Sequence, residues 1–259
     1  MEMKKSRVLD KLRAGCVVSC VKINMADAAS VELAGMCGFD CAWIDMEHVP
    51  SDYETVRKQV LAAKSKDMDM MVRVARGSYS DLIKPLELDA SGIMVPHVMG
   101  LGDARDVVRM TRFHPVGRRP IDGGNSDGAY CMLGIQEYIE QANGNRFVMV
   151  QIEDPEPLDD LDGIAALPGI DILFFGPGDF SQGIGAPGDF SHPRLIEARE
   201  RVAEAAIRHG KFAGTVGSPA NLGSLIEMGY RFVSVGADVV GLGGYFSGIV
   251  KAFADTACP

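Results

Sequence analysis

Apolar positions along the chain fall into short runs of strand length, each followed by a stretch with helical spacing. The runs are 16–21, 39–45, 70–74, 92–96, 146–153, 171–179, 211–216 and 231–236. Between them, helical periodicity covers 27–37, 52–64, 80–88, 102–113 and 133–143, and a further helix precedes the first run over 4–15. Eight strands alternating with helices, with no composition break to mark a linker, predict one α/β domain over 1–259, a closed (β/α)8 TIM barrel. An open doubly wound sheet is the alternative. Against it, no GxGxxG follows the first run, and polar residues gather at the ends of several runs rather than at one.

Two of these runs stop abruptly at carboxylates, Glu153 and Asp179, which are 26 positions apart with room for one helix between them. In a parallel sheet such a unit brings both carboxylates to the same C-terminal edge. Two hard oxygen ligands facing one pocket suit a divalent cation such as Mg2+ or Mn2+. Beside them, Gly176-Pro-Gly-Asp179 offers backbone amides for a small oxyanion. The competing reading makes Asp179 the N-cap of the next helix. Asp45, Glu47 and His48 end the second run, Arg73 the third, and Gln151 precedes Glu153. His48, near Asp45 in a loop after a strand, suits a general base. Arg73, inside an apolar strand, requires either an anionic ligand or a buried ion pair with one of these acids. His97, His114, His192 and His209 are read as structural. A cation, an arginine, carboxylate-binding amides and a His base together are what enolising pyruvate requires. A Schiff-base route is disfavoured because no lysine closes any of the eight runs.

Hydrophobic residues make up 47% of the 259 and charged residues 24%, with 30 glycines, so the chain can bury a sizeable core and has many tight turns. A net charge of −9 excludes a nucleic-acid footprint, which needs a basic face. A charged N-terminus without an apolar core, and no run of membrane-span length, predict no membrane association and a cytoplasmic location. The six cysteines (16, 20, 37, 41, 131 and 258) lack CxxC or zinc spacing and read as reduced, small apolar residues. The polar, Gly-rich stretch 115–127 reads as a long loop, with 118–125 a lid or substrate-facing segment.

Ile44-Asp-Met-Glu-His48, Val72-Arg73, Val95-Pro96, Thr111-Arg-Phe-His-Pro-Val-Gly117, Val150-Gln-Ile-Glu153 and Phe175-Gly-Pro-Gly-Asp-Phe-Ser181 occur in order over nearly the whole chain. Together they resemble the HpcH/HpaI aldolase family of class II pyruvate aldolases. The resemblance implies a metal-dependent lyase that reversibly cleaves a 4-hydroxy-2-oxo acid to pyruvate and an aldehyde through a metal-stabilised enolate. Glu153 and Asp179 would bind Mg2+, Mn2+ or Co2+, and Gln151 would stand beside pyruvate. Arg73 would contact the oxo group, His48 with Asp45 would serve the acid/base step, and the Gly178 and Asp179 amides would hold the carboxylate. It also implies a homo-hexamer, a trimer of dimers, with the last helix exchanged between subunits. One departure stands out: the family's Gly-x-Arg-Gly is replaced by Gly117-Arg-Arg-Pro-Ile-Asp-Gly-Gly-Asn125, a segment that helps shape the acceptor side. The alternatives are a citrate synthase-like or citrate lyase β-like enzyme using oxaloacetate or an acyl-CoA, for which Arg112, Arg118 and Arg119 offer the basic surface, and a non-catalytic barrel. A binding module, however, has no need of His48.

Overall fold

The structure is a computed structural model that describes residues 2–257; Cys258 lies outside the described residues. Strands β1 (Val18–Ile23), β2 (Cys41–Asp45), β3 (Asp69–Arg73), β4 (Gly92–Val95), β5 (Phe147–Ile152), β6 (Ile172–Phe175), β7 (Phe212–Gly217) and β8 (Tyr230–Ala237) pair in parallel in chain order. Pairing of β8 with β1 closes the barrel. The helices are α1 (Arg7–Arg13), α2 (Ala28–Met36), α3 (Tyr53–Ser65), α4 (Tyr79–Glu87), α5 (Leu101–Thr111), α6 (Ile135–Asn145), α7 (Leu161–Ala166), α8 (Pro177–Gly183), α9 (Pro193–Arg208), α10 (Leu222–Met228) and α11 (Asp238–Ala257).

Side chains alternate across each strand, so one row of every strand fills the barrel and the other meets the helices. The interior row includes Val18, Cys20, Cys41, Trp43, Met71, Phe147, Met149, Ile172 and Phe174, all buried, and Val8, Leu9 and Leu12 of α1 close its N-terminal end. Val21, Ile23, Ala42, Ile44, Met70 and Val72 face outward against α2 and α3. The plug α1 is fastened by two buried acids. Asp69 accepts from Ser6 Oγ at 2.6 Å and from the Val8 N–H at 2.9 Å, and Asp40 takes the Lys11 ammonium at 2.7 Å. An acid at a helix N-terminus is favoured by the free amides and the dipole there.

Two expectations are corrected. The first strand runs over Val18–Ile23 rather than 16–21, because Gly15 turns the chain at φ +77° and the Cys16 N–H still donates back to the Lys11 carbonyl at 2.9 Å. Lys22 therefore stands inside a strand, one residue before its end. Within the loop 115–127, the segment 118–125 is not a lid over this chain's own site. The backbone N–H groups of Arg118 and Arg119 donate to Arg109 and Arg112 at the C-terminal end of α5, and that of Asp127 donates to Glu87 at the end of α4. Helices that follow strands return to the N-terminal end of the barrel, so this segment lies opposite the carboxylates. It is pinned there by the buried Arg119–Asp127 pair at 2.8 Å and by the Tyr138 hydroxyl donating to Asp127 at 2.7 Å.

Candidate active site

The inward rows that are apolar through the barrel turn polar at the C-terminal edge. Trp43 is followed two positions later by Asp45, Met71 by Arg73, and Met149 by Gln151 and then Glu153. A two-residue period thus carries the sequence from core to site within each strand.

Asp45 and Arg73 are register partners on β2 and β3. Arg73 Nε donates to Asp45 Oδ1 at 3.0 Å, and a second guanidinium N–H meets Oδ2. Arg73 Nη1 also lies 2.9 Å from Glu47 Oε2, and the guanidinium stands 5.0 Å from the Trp43 ring centroid. Of the two readings of Arg73, the buried ion pair is therefore present. Lys22 Nζ is 2.8 Å from Asp45 Oδ2. Burial alone would raise the Asp45 carboxyl, but Arg73 and Lys22 outweigh it and hold the group well below the ordinary carboxylate range.

Asp45 does not orient the His48 ring. Its Oδ1 accepts from the backbone N–H groups of Glu47 at 3.0 Å and His48 at 3.3 Å, an Asx-type turn that uses the carboxylate internally. The His48 imidazole projects outward and has Glu47 as its neighbour, with Nε2 3.6 Å from Oε2.

Glu153 is 1% exposed. Its Oε1 accepts from the His97 backbone N–H at 2.8 Å, and its Oε2 accepts from the Gln151 side-chain amide. Burial, with the nearby Asp179 charge adding to it, pushes the Glu153 carboxyl up to about 7 against the pull of His97 and Arg73. The Gln151 side-chain oxygen is buried and has no partner among the described residues. Asp179 falls in the first turn of α8, where Gly176 takes the cap position, so the N-cap reading does not apply. Helix geometry leaves the Gly178 and Asp179 N–H groups without intrahelical partners. A Cβ at Gly176 would come within 2.7 Å of Glu153, so glycine is required for β6 to end beside that carboxylate.

His97, read from sequence as structural, joins the site. Its backbone has φ +47°, uncommon for a non-glycine residue. Its Nδ1 lies 2.8 Å from Asp154 Oδ2 and its Nε2 lies 3.7 Å from Glu47 Oε1. Arg76 holds the loop by donating to the His97 carbonyl at 2.6 Å while pairing with Asp103. One donor atom each from His97, Glu153 and Asp179 lie within 4.8 Å of one another. Two carboxylates and an imidazole converging at the barrel mouth, with Glu153 buried and its carboxyl raised by that burial and by the Asp179 charge, form a donor set that fits a divalent cation.

His97 and Lys22 were absent from the sequence-derived site, and Glu47 stood among its strand-end residues without a role. The signal for Lys22 was its alternation with Val18 and Cys20, and for His97 its place directly after the Val95-Pro96 strand end.

Residues 20–242 match the family model described as HpcH/HpaI aldolase/citrate lyase. A protein of Shigella boydii named 5-keto-4-deoxy-D-glucarate aldolase is 31% identical over 252 residues, covering 95% of this chain and 96% of that protein. The crystal structure of an HpcH/HpaI aldolase from Desulfitobacterium hafniense superposes with a TM-score of 0.89 at 28% identity, covering 95% of this chain and 96% of that one. Macrophomate synthase superposes with a TM-score of 0.86 at 27% identity, covering 100% of this chain and 93% of that one. The chain belongs to the HpcH/HpaI aldolase/citrate lyase family and is, like its aldolase relatives, a carbon–carbon lyase.

Proposed function

We propose that this chain is a divalent-metal-dependent aldolase that reversibly cleaves a 4-hydroxy-2-oxo acid to pyruvate and an aldehyde. The observation that carries the reading is the convergence of Glu153, Asp179 and His97 beside Arg73 at the C-terminal mouth of the barrel. Glu153 and Asp179, with His97 adjacent, would hold Mg2+, Mn2+ or Co2+. Such an ion, when bound, supplies Lewis acidity toward the 2-oxo oxygen.

The chain's own groups do the rest. Arg73, fixed by Asp45, Glu47 and the Trp43 face, presents its guanidinium where the oxo oxygen gains negative charge as the C3–C4 bond breaks. Gln151 stands beside pyruvate, with its unpartnered oxygen available to the ligand. The Gly178 and Asp179 amides hold the pyruvate carboxylate. His48 takes the proton from the 4-hydroxyl, in the company of Glu47 rather than of Asp45. His48 releases that proton to solvent, from which C3 of the departing enolate takes one to give pyruvate.

The acyl-CoA alternative loses its support. Arg112 is paired with Asp171 and Arg119 with Asp127, both largely buried, and the segment that carries them lies at the far end of the barrel. A Schiff-base route is also disfavoured. Lys22 does stand one residue before the end of β1, but its Nζ is engaged by Asp45 instead of standing free in an apolar pocket.

A homo-oligomer, a hexamer built as a trimer of dimers, is part of this reading. It is supported by α11, which has no buried residue and exposes Val240, Tyr245 and Phe253 at 70%, 64% and 73%. Exchange of this helix between subunits would cover those side chains. Among the described residues no helix is long and apolar enough to cross a membrane; a cytoplasmic location is part of the proposed reading. The test is to incubate the protein with pyruvate, Mn2+ and a panel of aldehydes and to detect products by mass, alongside cleavage of 5-keto-4-deoxy-D-glucarate, the compound in the relatives' name. The reading requires a metal-dependent product in at least one arm, and no product in any arm would overturn it.

A further inference from the structure

The strands contain three basic residues, and their positions differ in kind. Arg231 opens β8 at the N-terminal end and donates to the Ile226 and Tyr230 carbonyls. Arg73 and Lys22 stand at C-terminal strand ends, and both face the barrel interior. The inward direction of Lys22 follows from alternation, since Val18 and Cys20 line the interior while Val21 and Ile23 pack on the outer helices. Lys22 Nζ and the Arg73 guanidinium each lie 5.0 Å from the centroid of the Trp43 ring, and the two cations share the Asp45 Oδ2 oxygen.

Lys22 is incompletely engaged. An ammonium carries three donors, and the charged partner of this one is Asp45. That carboxylate also accepts from Arg73 through both oxygens and from two backbone N–H groups. The lysine side chain is 23% exposed, at the mouth rather than in the core. Its place in the ring matters too. In a closed ring of eight strands β1 is four strands from β5, so Lys22 stands across the mouth from Glu153. On the aldolase reading, with the pyruvate half held at β5 and β6, the other half of a 4-hydroxy-2-oxo acid would extend toward that side.

We propose that Lys22 binds a negatively charged group on the acceptor half of the substrate, so that the enzyme prefers aldehydes bearing a carboxylate distal to the carbonyl. The proposal rests on the aldolase reading above. It names a specificity-determining residue on β1, where an incoming carboxylate would take the ammonium N–H groups that Asp45 does not use. A charge-assisted hydrogen bond of this kind adds selectivity of about tenfold or more.

The experiment compares two four-carbon acceptors, butanal and its counterpart with a terminal carboxylate, in condensation with pyruvate and Mn2+. The quantity read is the ratio of kcat/KM for the charged over the neutral aldehyde, within each variant, so a general loss of activity cancels. The wild type should favour the charged acceptor by about tenfold or more. Lys22→Met, of similar length and uncharged, should bring the ratio close to one, and Lys22→Arg should restore most of it. A wild-type ratio near one, or a ratio unchanged in Lys22→Met, would overturn the proposal. Exchange of the pyruvate C3 hydrogens in D2O separates this failure from that of the aldolase reading. Exchange with no charge preference overturns the role of Lys22 alone, whereas no exchange and no product from the wild type overturns both.

Discussion

His97 donates its backbone N–H to Glu153 Oε1 at 2.8 Å, and it does so from a left-handed backbone at φ +47°. The side chain and the main chain of one residue therefore both serve the same carboxylate cluster, and substitutions can separate them. Asparagine tolerates this conformation whereas a β-branched residue does not. His97→Asn should unfold in urea within a few tenths of a kcal/mol of wild type, and His97→Val should be weaker by about 1–2 kcal/mol. Asparagine removes the imidazole, so Co2+ affinity should fall on the order of tenfold. Equal stabilities of the two variants would contradict the backbone role, and unchanged Co2+ affinity would contradict the ligand role.

Glu153 gives a pH dependence with a definite sign. Its folded-state carboxyl is raised to about 7 by burial and the Asp179 charge, so the folded protein holds this proton more tightly than the unfolded chain does. Stability from this group is complete below the unfolded value, near about 4.3, and is lost as the pH rises to about 7. Metal-free Glu153→Gln should therefore melt above metal-free wild type at pH 8, by on the order of 3 kcal/mol at most, and the difference should vanish near pH 4. A lower Tm for the variant at pH 8 would be inconsistent with this.

The Asp45–Arg73 pair behaves in the opposite sense. Asp45 is depressed, so its contribution is present above the unfolded carboxylate value and is lost as the pH falls through the acid range. Asp45→Asn leaves Arg73 and Lys22 with an uncompensated charge and should cost about 3–5 kcal/mol. Arg73→Lys should keep the fold but slow pyruvate C3 exchange on the order of 100-fold, because an ammonium cannot reproduce the guanidinium fork. Exchange at the wild-type rate would remove Arg73 from the chemistry.

His48 is the group with the least structural attachment. Its imidazole is 60% exposed and close to Glu47. His48→Ala should leave Tm unchanged within a degree or so and slow aldol cleavage far more than C3 exchange, since the enolate-stabilising groups remain. If both rates fall equally and Tm drops as well, its role is in the loop after β2 and not in proton transfer.

Much of this was legible in the chain itself. The eight apolar runs with intervening helical periods specify the barrel, because strands buried on both faces read as continuous hydrophobic stretches. Glu153 and Asp179 were visible because each ends such a run. What escaped were relations across the ring. Lys22 was missed because the apolar run stops one residue before it, although the two-residue alternation continues through it. His97 was set aside because a lone histidine is usually structural, and only the fold brings β4's end against β5's. The Asp45 carboxylate, three residues before His48, was expected to hold the imidazole; the turn that places them close in sequence uses that carboxylate for its own amides. The length and polarity of the loop 115–127 suggest a lid at 118–125, but the return of α5 to the N-terminal end of the barrel carries that segment away from this chain's site.

The central claim is that Glu153 and Asp179, with His97, hold a divalent ion on which the chemistry depends. Its most direct test is exchange of the pyruvate C3 hydrogens in D2O, followed by NMR, for enzyme stripped with EDTA and dialysed, before and after adding Mn2+. The account predicts that exchange falls to background on stripping and returns with Mn2+ in the wild type, but does not return in Glu153→Gln. Full exchange by the stripped enzyme would contradict it.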